Sequence, residues 1–310
     1  MQIIRNISNL SNIQACIATI GNFDGVHLGH QAILNNVIVQ SKNMSLPSMV
    51  ITFEPQPQEF FMQHQAPPRL TNLREKITLF QELGIEKVCI LKFGLNCVTM
   101  AAEEFIKNIL VNALKVKFLF VGDDFHFGKC ASGDFNLLLN SSDKYGFTVK
   151  NTTTVNVLGE RVSSTRVRNI LKSGDFETAK CLLGRSYRLC GKVQHGAKRG
   201  RLLGFPTANL NLRRKISSIN GVYAVRVIGP DNKIWRGIAN VGKRPTIIGD
   251  NRITLETHIF DFNGDLYNNY ISVEPIHKIR EERKFTNLEE LRQQIATDVE
   301  QVRGLQSKIF

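Results

Sequence analysis

Apolar runs separated by segments of helical period dominate the first half of the chain. Ala15–Ile20 (ACIATI), Ser48–Phe53, Lys87–Phe93 and Lys117–Val121 (KFLFV) are runs of strand length rich in Val, Ile and Phe. Between them, His30–Gln40, Asn72–Leu83 and Met100–Leu114 repeat apolar residues at the helical period. Doubly buried strands alternating with such helices predict βαβ units and a parallel sheet. Ligands of these sheets bind beyond the carboxyl ends of the strands, so chemistry is expected in the strand-to-helix loops.

Beyond Cys181–Gly184 the pattern changes. Short β-rich runs at 188–194, 221–228, 233–241, 252–260 and 270–276 are separated by turn signals such as Asn220-Gly221 and Asn263-Gly264-Asp265. Without intervening helices, they predict an antiparallel barrel or sandwich. An amphipathic helix begins at Thr286-Asn287, with Leu288, Leu291, Ile295, Val299 and Val302 on one face. The expected architecture is α/β plus β. A Rossmann-like domain with a parallel sheet spans 1–183, and an antiparallel β-barrel followed by a terminal helix spans 184–310.

Charge sharpens this division. The 310 residues carry a formal net charge of +13, of which residues 1–183 supply +3 and residues 184–310 supply +10. Within 185–215 there are nine Lys/Arg and no acid. Such an excess suits nucleic acid, anionic lipid or a phosphorylated small molecule. The basic loop is interleaved with glycines and not with stacking aromatics, so a nucleic-acid partner is not expected. No apolar run approaches membrane-span length, and there is no signal-peptide core. The six cysteines form no CxxC pair, which fits buried thiols in a reducing compartment. A cytoplasmic protein is expected.

Between the first strand and first helix lies Gly21-Asn22-Phe23-Asp24-Gly25-Val26-His27-Leu28-Gly29-His30. Glycines there let backbone approach a ligand, and the helix N-terminus offers N–H groups to a phosphate. His27 and His30 could reach one anion. The same string also reads as a tight turn with two surface histidines, or as a metal site of His27, His30 and Asp24, for which no further ligand is evident. Val121-Gly122-Asp123-Asp124-Phe125-His126-Phe127-Gly128 follows the fourth strand, and Ser163-Ser164-Thr165-Arg166-Val167-Arg168 opens a later helix. Three hydroxyls with two guanidiniums suit a polyphosphate. In the second half, Gly191-Lys192-Val193-Gln194-His195-Gly196 runs through Gly200-Arg201-Leu202-Leu203-Gly204 to Phe205-Pro206-Thr207-Ala208-Asn209. Its glycines and cations suit a nucleotide's phosphates, although a solvated basic loop explains the cations alone. Thr207 and Asn209, two apart on a strand, would share a face and could hold Mg²⁺ through oxygen.

HLGH with a downstream Ser-Ser-Thr-x-x-Arg resembles the nucleotidyltransferase superfamily. The fuller strings GNFDGVHLGH, TFEPQPQEFF, RLTNLREK and VGDDFHFG resemble the adenylyltransferase half of the bacterial bifunctional FAD synthetase (riboflavin kinase/FMN adenylyltransferase) family. PTAN, GVYAV, ANVGKRPT, LETHIFDFNGDLY and IREERKF resemble its kinase half. The resemblance implies that riboflavin and ATP give FMN, and that FMN and ATP give FAD and pyrophosphate. It implies that Glu256 is the kinase's general base. Thr207 and Asn209 would bind Mg²⁺, and Gly191, Lys192, Val193, Gly196, Gly200, Arg201, Gly204 and Pro206 would join them at ATP. Arg280 and Phe285 would lie near the flavin. In the first half it implies that His27 and His30 act on ATP's phosphates, with Asn22, Phe23, Asp24, Gly25, Gly29, Ser163, Ser164, Thr165 and Arg168 binding the nucleotide. Phe53, Pro55, Asp123 and Phe125 would line the flavin. One departure stands out. Ala131 occupies a position where the family usually has Arg, which raises the alternative of a riboflavin kinase with an impaired adenylyltransferase domain.

Overall fold

The computed structural model describes all residues except 6, 8–12, 197–198, 213, 215, 245–251 and 306–310, together with the side chains of Arg199, Lys243, Arg244 and Arg252. Ala197, Lys198, Arg213, Lys215 and the Pro-Thr of ANVGKRPT thus lie outside the described residues. Two compact units emerge: residues 1–67 with 73–163, and residues 68–72 with 164–310.

The first unit is built on a six-stranded parallel sheet. β1 (Gln2–Ile4), β2 (Cys16–Ile20), β3 (Ser48–Glu54), β4 (Lys87–Lys92), β5 (Val116–Val121) and β6 (Thr148–Asn151) lie in the order β1-β4-β3-β2-β5-β6. Successive residues of each apolar run serve opposite faces. Cys16, Ala18 and Ile20 join one core cluster with Met49, Ile51, Phe53, Cys89 and Leu91. Ile17 packs with Val37, Phe118 and Phe120, and Val50, Val88 and Ile90 pack with Leu34 and Phe80. This two-sided burial is why the strands are rich in apolar residues at successive positions, each fully buried Val, Leu, Ile, Met or Phe contributing about 1.5–3 kcal/mol.

α1 (Leu28–Met44), α2 (Pro57–Met62), α3 (Leu73–Glu82), α4 (Leu95–Thr99), α5 (Ala102–Glu104) and α6 (Phe135–Tyr145) connect or follow these strands. The expected helix over 100–114 is instead a single α turn continuing as a π-helix, Phe105–Ala113. Its wider turn keeps Phe105, Ile106, Ile109 and Leu110 all on the core. β1 and β6, short and at the two sheet edges, are additions to the sequence reading, as is the small hairpin β7 (Asn156–Val157) and β8 (Glu160–Arg161).

In the second unit, β9 (Leu189–Gln194), β10 (Ala208–Asn211), β11 (Gly221–Ile228), β12 (Ile234–Arg244), β13 (Arg252–Ile259) and β14 (Tyr270–Arg280) form a closed antiparallel barrel in the order β10-β13-β12-β11-β14-β9. Leu210, Tyr223, Val225, Ala239, Val241, Leu255 and Val273 are at most 1 % exposed, and they alternate along their strands with residues of the outer face. β10 was not expected, because Ala-Asn-Leu-Asn offers a single apolar position to the interior. α7 (Ser164–Ser173) and α8 (Phe176–Leu183) group with the barrel, ahead of the boundary at 184. α9 (Arg199–Leu202) is one turn in the basic loop, and α10 (Leu288–Arg303) starts where the sequence placed it. Asn287 caps it, its side chain accepting from Glu290 N at 2.8 Å.

All six cysteines are free, but the expectation of buried thiols holds only for Cys16 and Cys89; Cys130 and Cys181 are exposed. Burial pushes both buried thiols up to about 12, so they are unreactive packing residues. Arg214, in the basic stretch, is a buried structural cation whose Nη1 donates to Tyr187 Oη at 2.9 Å.

Candidate functional site

Two separate sites emerge, one in each unit. In the first, the strand order runs from β2 through β3 and β4 in one direction and through β5 and β6 in the other. The loops after β2 and β5 therefore flank the switch point where open α/β sheets bind ligands. The loop after β2 is held from below. Phe23 and Val26 take left-handed φ values of 49° and 42°, a strained backbone for such residues. Both side chains are buried against Leu34, Val50 and Phe80, and that packing holds the loop. Fully buried Lys76, from α3, donates through Nζ to Asn22 O at 2.7 Å, and Gln31 Nε2 donates to Val26 O at 2.9 Å.

The loop delivers His27 and His30 to the start of α1. Their rings stack with centroids 3.7 Å apart, and Phe23 meets His30 edge-on at 5.2 Å. Two imidazoles over one helix N-terminus favour an anionic ligand. Gly29 makes room for the stack: a Cβ there would stand 3.2 Å from the His27 ring and 3.7 Å from Val162 O. Ser163 follows that carbonyl, at the same end of α1. Asn22, Asp24 and Gly25 belong to this loop, whereas Ser164, Thr165 and Arg168 begin α7 in the second unit, where Arg168 Nε donates to Pro68 O at 2.7 Å.

Beside the loop, at the carboxyl end of β3, Phe53 meets Phe93 edge-on at 5.7 Å, and Phe93 in turn meets Phe60 and Phe61 at 5.6 and 5.8 Å. Phe61 is 62 % exposed. An open aromatic wall of this kind suits a flat ring. The sequence reading names Phe53 and Pro55 as candidates but not Phe60, Phe61 and Phe93; the visible signal is the Phe-Phe pair ending TFEPQPQEFF. After β5, Phe125 stacks on Phe127 at 5.4 Å, and Asp123 Oδ2 accepts from Thr154 Oγ1 at 2.7 Å. Cys130 and Ala131 both take left-handed φ, 54° and 56°, in a turn closed by the Phe127–Gly133 bridge.

The second site is a cavity of about 370 Å³ on the outside of the barrel. Register explains its lining. Asn209 pairs with Glu256, Glu256 with Asn240, Asn240 with Val222, and Val222 with Arg280. One row across five strands thus presents all five side chains to one face. Thr207, Gly200, Glu282, Arg283 and Phe285 also line the cavity. Thr207 lies just before β10, yet Asn209 Nδ2 reaches its carbonyl at 3.3 Å. His258 Nδ1 lies 2.8 Å from Pro206 O, tethering this segment to β13. Of the phosphate-loop residues expected from sequence, Gly200 lines the cavity. Gly191, Lys192, Val193, Gly196, Arg201, Gly204 and Pro206 do not, although a Cβ on Gly196 would fall within 2.7 Å of the Asn209 carboxamide. Val193 is a barrel-interior residue, 2 % exposed.

Sequence reasoning missed Asn240, His258, Glu282 and Asp298. His258 was legible as the same-face neighbour of Glu256. Asn240 was not, because only the register sets it opposite Glu256. Its Oδ1 is buried and has no partner among the described residues.

Comparison with known proteins also divides the chain in two. The family model for FAD synthetase matches residues 10–166 and that for riboflavin kinase matches residues 183–306. Relatives described as bifunctional riboflavin kinase/FMN adenylyltransferase include those of Haemophilus influenzae (44 % identical, covering 97 % of each chain), Pseudomonas fluorescens (46 %, 98 % of each) and Escherichia coli strain K12 (46 %, 96 % of each). A crystal structure described as a macrolide-efflux protein from Streptococcus pneumoniae is similar with a TM-score of 0.78 at 29 % identity, covering 99 % of this chain and 100 % of that one. No helix among the described residues is long and apolar enough to cross a membrane. On both family models and these full-length relatives, the chain belongs to the bifunctional riboflavin kinase/FMN adenylyltransferase family.

Proposed function

We propose that residues 184–310 phosphorylate riboflavin and residues 1–183 adenylate the FMN so formed, in the cytoplasm. The row Asn209–Glu256–Asn240–Val222–Arg280 across the barrel carries the kinase reading, because it gathers a carboxylate, two carboxamides and a guanidinium in one cavity. Glu256 takes the proton from the riboflavin 5′-hydroxyl as that oxygen attacks the γ-phosphorus of ATP, and ADP leaves.

Thr207 and Asn209 fit a hard cation. With its Nδ2 turned to the Thr207 carbonyl, Asn209 has Oδ1 as its ligating atom, and the Thr207 hydroxyl is a second neutral oxygen. Mg²⁺ bound there would neutralise charge on the transferring phosphates. The expected test is Thr207→Ala. It raises the Mg²⁺ concentration needed for half-maximal FMN formation about tenfold or more, while the Mg²⁺ requirement for FMN-to-FAD conversion stays as in the wild type. An unchanged requirement for FMN formation would remove Thr207 from the metal site.

In the first unit, a phosphate oxygen of FMN attacks the α-phosphorus of ATP and pyrophosphate leaves, so no side-chain nucleophile is required. His27 and His30, stacked at the N-terminus of α1, stabilise charge developing on the α-phosphate. Asn22, Asp24, Gly25, Gly29 and Ser163 hold the nucleotide at this end of the first unit. Phe53, Pro55 and Phe125 contact the isoalloxazine, with Phe60 and Phe61 extending that wall. Ala131, where the family usually has Arg, raises the alternative of a kinase with an impaired adenylyltransferase. Both family models match and the full-length relatives bear the bifunctional description, so that alternative is not favoured. Lys129, exposed two residues earlier, supplies a cation in the same turn.

A further inference from the structure

The apolar stripe of α10 contains one carboxylate. Ile295, Val299 and Val302 pack on Val222, Ile238 and Phe260 of the barrel's outer face, and Asp298 lies among them, only 2 % exposed. A carboxylate so placed requires pairing, and Arg280 supplies it. Arg280 Nε lies 3.1 and 2.9 Å from the two Asp298 oxygens, and Nη2 lies 2.8 Å from Oδ2. Gln294 Nε2 donates to Oδ1 at 2.7 Å, and Arg280 Nη1 donates to Glu281 O at 3.0 Å.

A guanidinium has five N–H donors in a rigid plane. Nε and Nη1 donate in these contacts and Nη2 is held within ion-pair distance of Asp298. The fork is therefore fixed in plane and direction. Arg280 and Asp298 both line the cavity that holds Glu256, and the guanidinium carbon lies 5.7 Å from the Phe285 ring centroid. An apolar residue at 298 would bury as well as its stripe neighbours, and apolar replacement of a buried pair is often neutral for stability. The carboxylate instead fixes where Arg280 points.

We propose that Asp298 is a positioning residue for the kinase reaction, locking the Arg280 guanidinium so that it meets the flavin in a preset orientation. The terminal helix is then part of the substrate site and not only its cover. This rests on the reading of the cavity as the kinase site.

The test uses the full-length chain and steady-state kinetics of FMN formation, with FMN-to-FAD conversion as the control for the other unit. Asp298→Asn keeps the side-chain shape and removes the charge. It raises KM for riboflavin about tenfold, the loss of one charge-assisted contact, with KM for ATP and FMN-to-FAD conversion unchanged. Gln294→Ala, which leaves the ion pair, gives a smaller rise of the same kind. Asp298→Glu recovers part of the wild-type KM. An unchanged riboflavin KM in Asp298→Asn overturns the proposal. So does a fall in kcat that tracks a lowered melting temperature at unchanged KM, since that assigns Asp298 to stability alone. If Glu256→Gln retains kinase activity, the underlying site reading fails instead, whatever Asp298→Asn does.

Discussion

Glu256→Gln stops FMN formation from riboflavin and leaves conversion of added FMN to FAD at the wild-type rate. Glu256 sits between Asn209 and Asn240 in the cross-strand row and lines the barrel cavity. Glutamine keeps its size and can still hydrogen-bond, so the strand and cavity persist, but it cannot accept a proton. A lost general base costs about 10²- to 10⁴-fold in rate. Chromatographic separation of FMN and FAD, from reactions started with riboflavin and separately with FMN, reads both activities in one preparation. Equal loss of the two would mean that the variant is misfolded or that the sites are not independent.

His30→Ala produces the opposite phenotype. The stacked His27–His30 pair stands at the start of α1, which follows directly from the strained β2 loop. Losing one donor aimed at developing phosphate charge costs about 10²- to 10³-fold, so FAD formation from FMN falls by that factor while riboflavin is phosphorylated normally. Because His30 also packs edge-on to Phe23, alanine leaves a gap in the loop. His30→Phe fills that gap without a ring nitrogen, and it is expected to be as inactive in FAD synthesis as His30→Ala. Full FAD synthesis by His30→Phe would assign the residue to packing.

The parallel sheet was legible because β2, β3, β4 and β5 are buried on both faces, and their strand-length, Val/Ile/Phe-rich runs alternate with segments of helical period. The barrel was legible from turn spacing, and α10 from its stripe and Asn287 cap. The missing pieces share a physical cause. β10 and β6 are short and carry mostly polar residues, so their membership is set by neighbours and not by their own pattern. The Phe105–Ala113 segment has a helical composition, but the i+5 bonding is imposed by the core it packs against. Glycines, histidines and hydroxyls at loop positions are visible as candidates in the sequence. Asn240 and Asp298 are not, because one gains its place from register across β12 and β13 and the other from α10 docking on β14. Neither relation exists in one dimension.

The central claim is that one chain carries out both steps. Wild-type protein incubated with riboflavin, ATP and Mg²⁺, with FMN, FAD, ADP and pyrophosphate followed over time, tests it most directly. FMN is expected to rise first and FAD to follow, each FAD accompanied by one ADP and one pyrophosphate. FMN that accumulates at saturating ATP with neither FAD nor pyrophosphate would contradict the account.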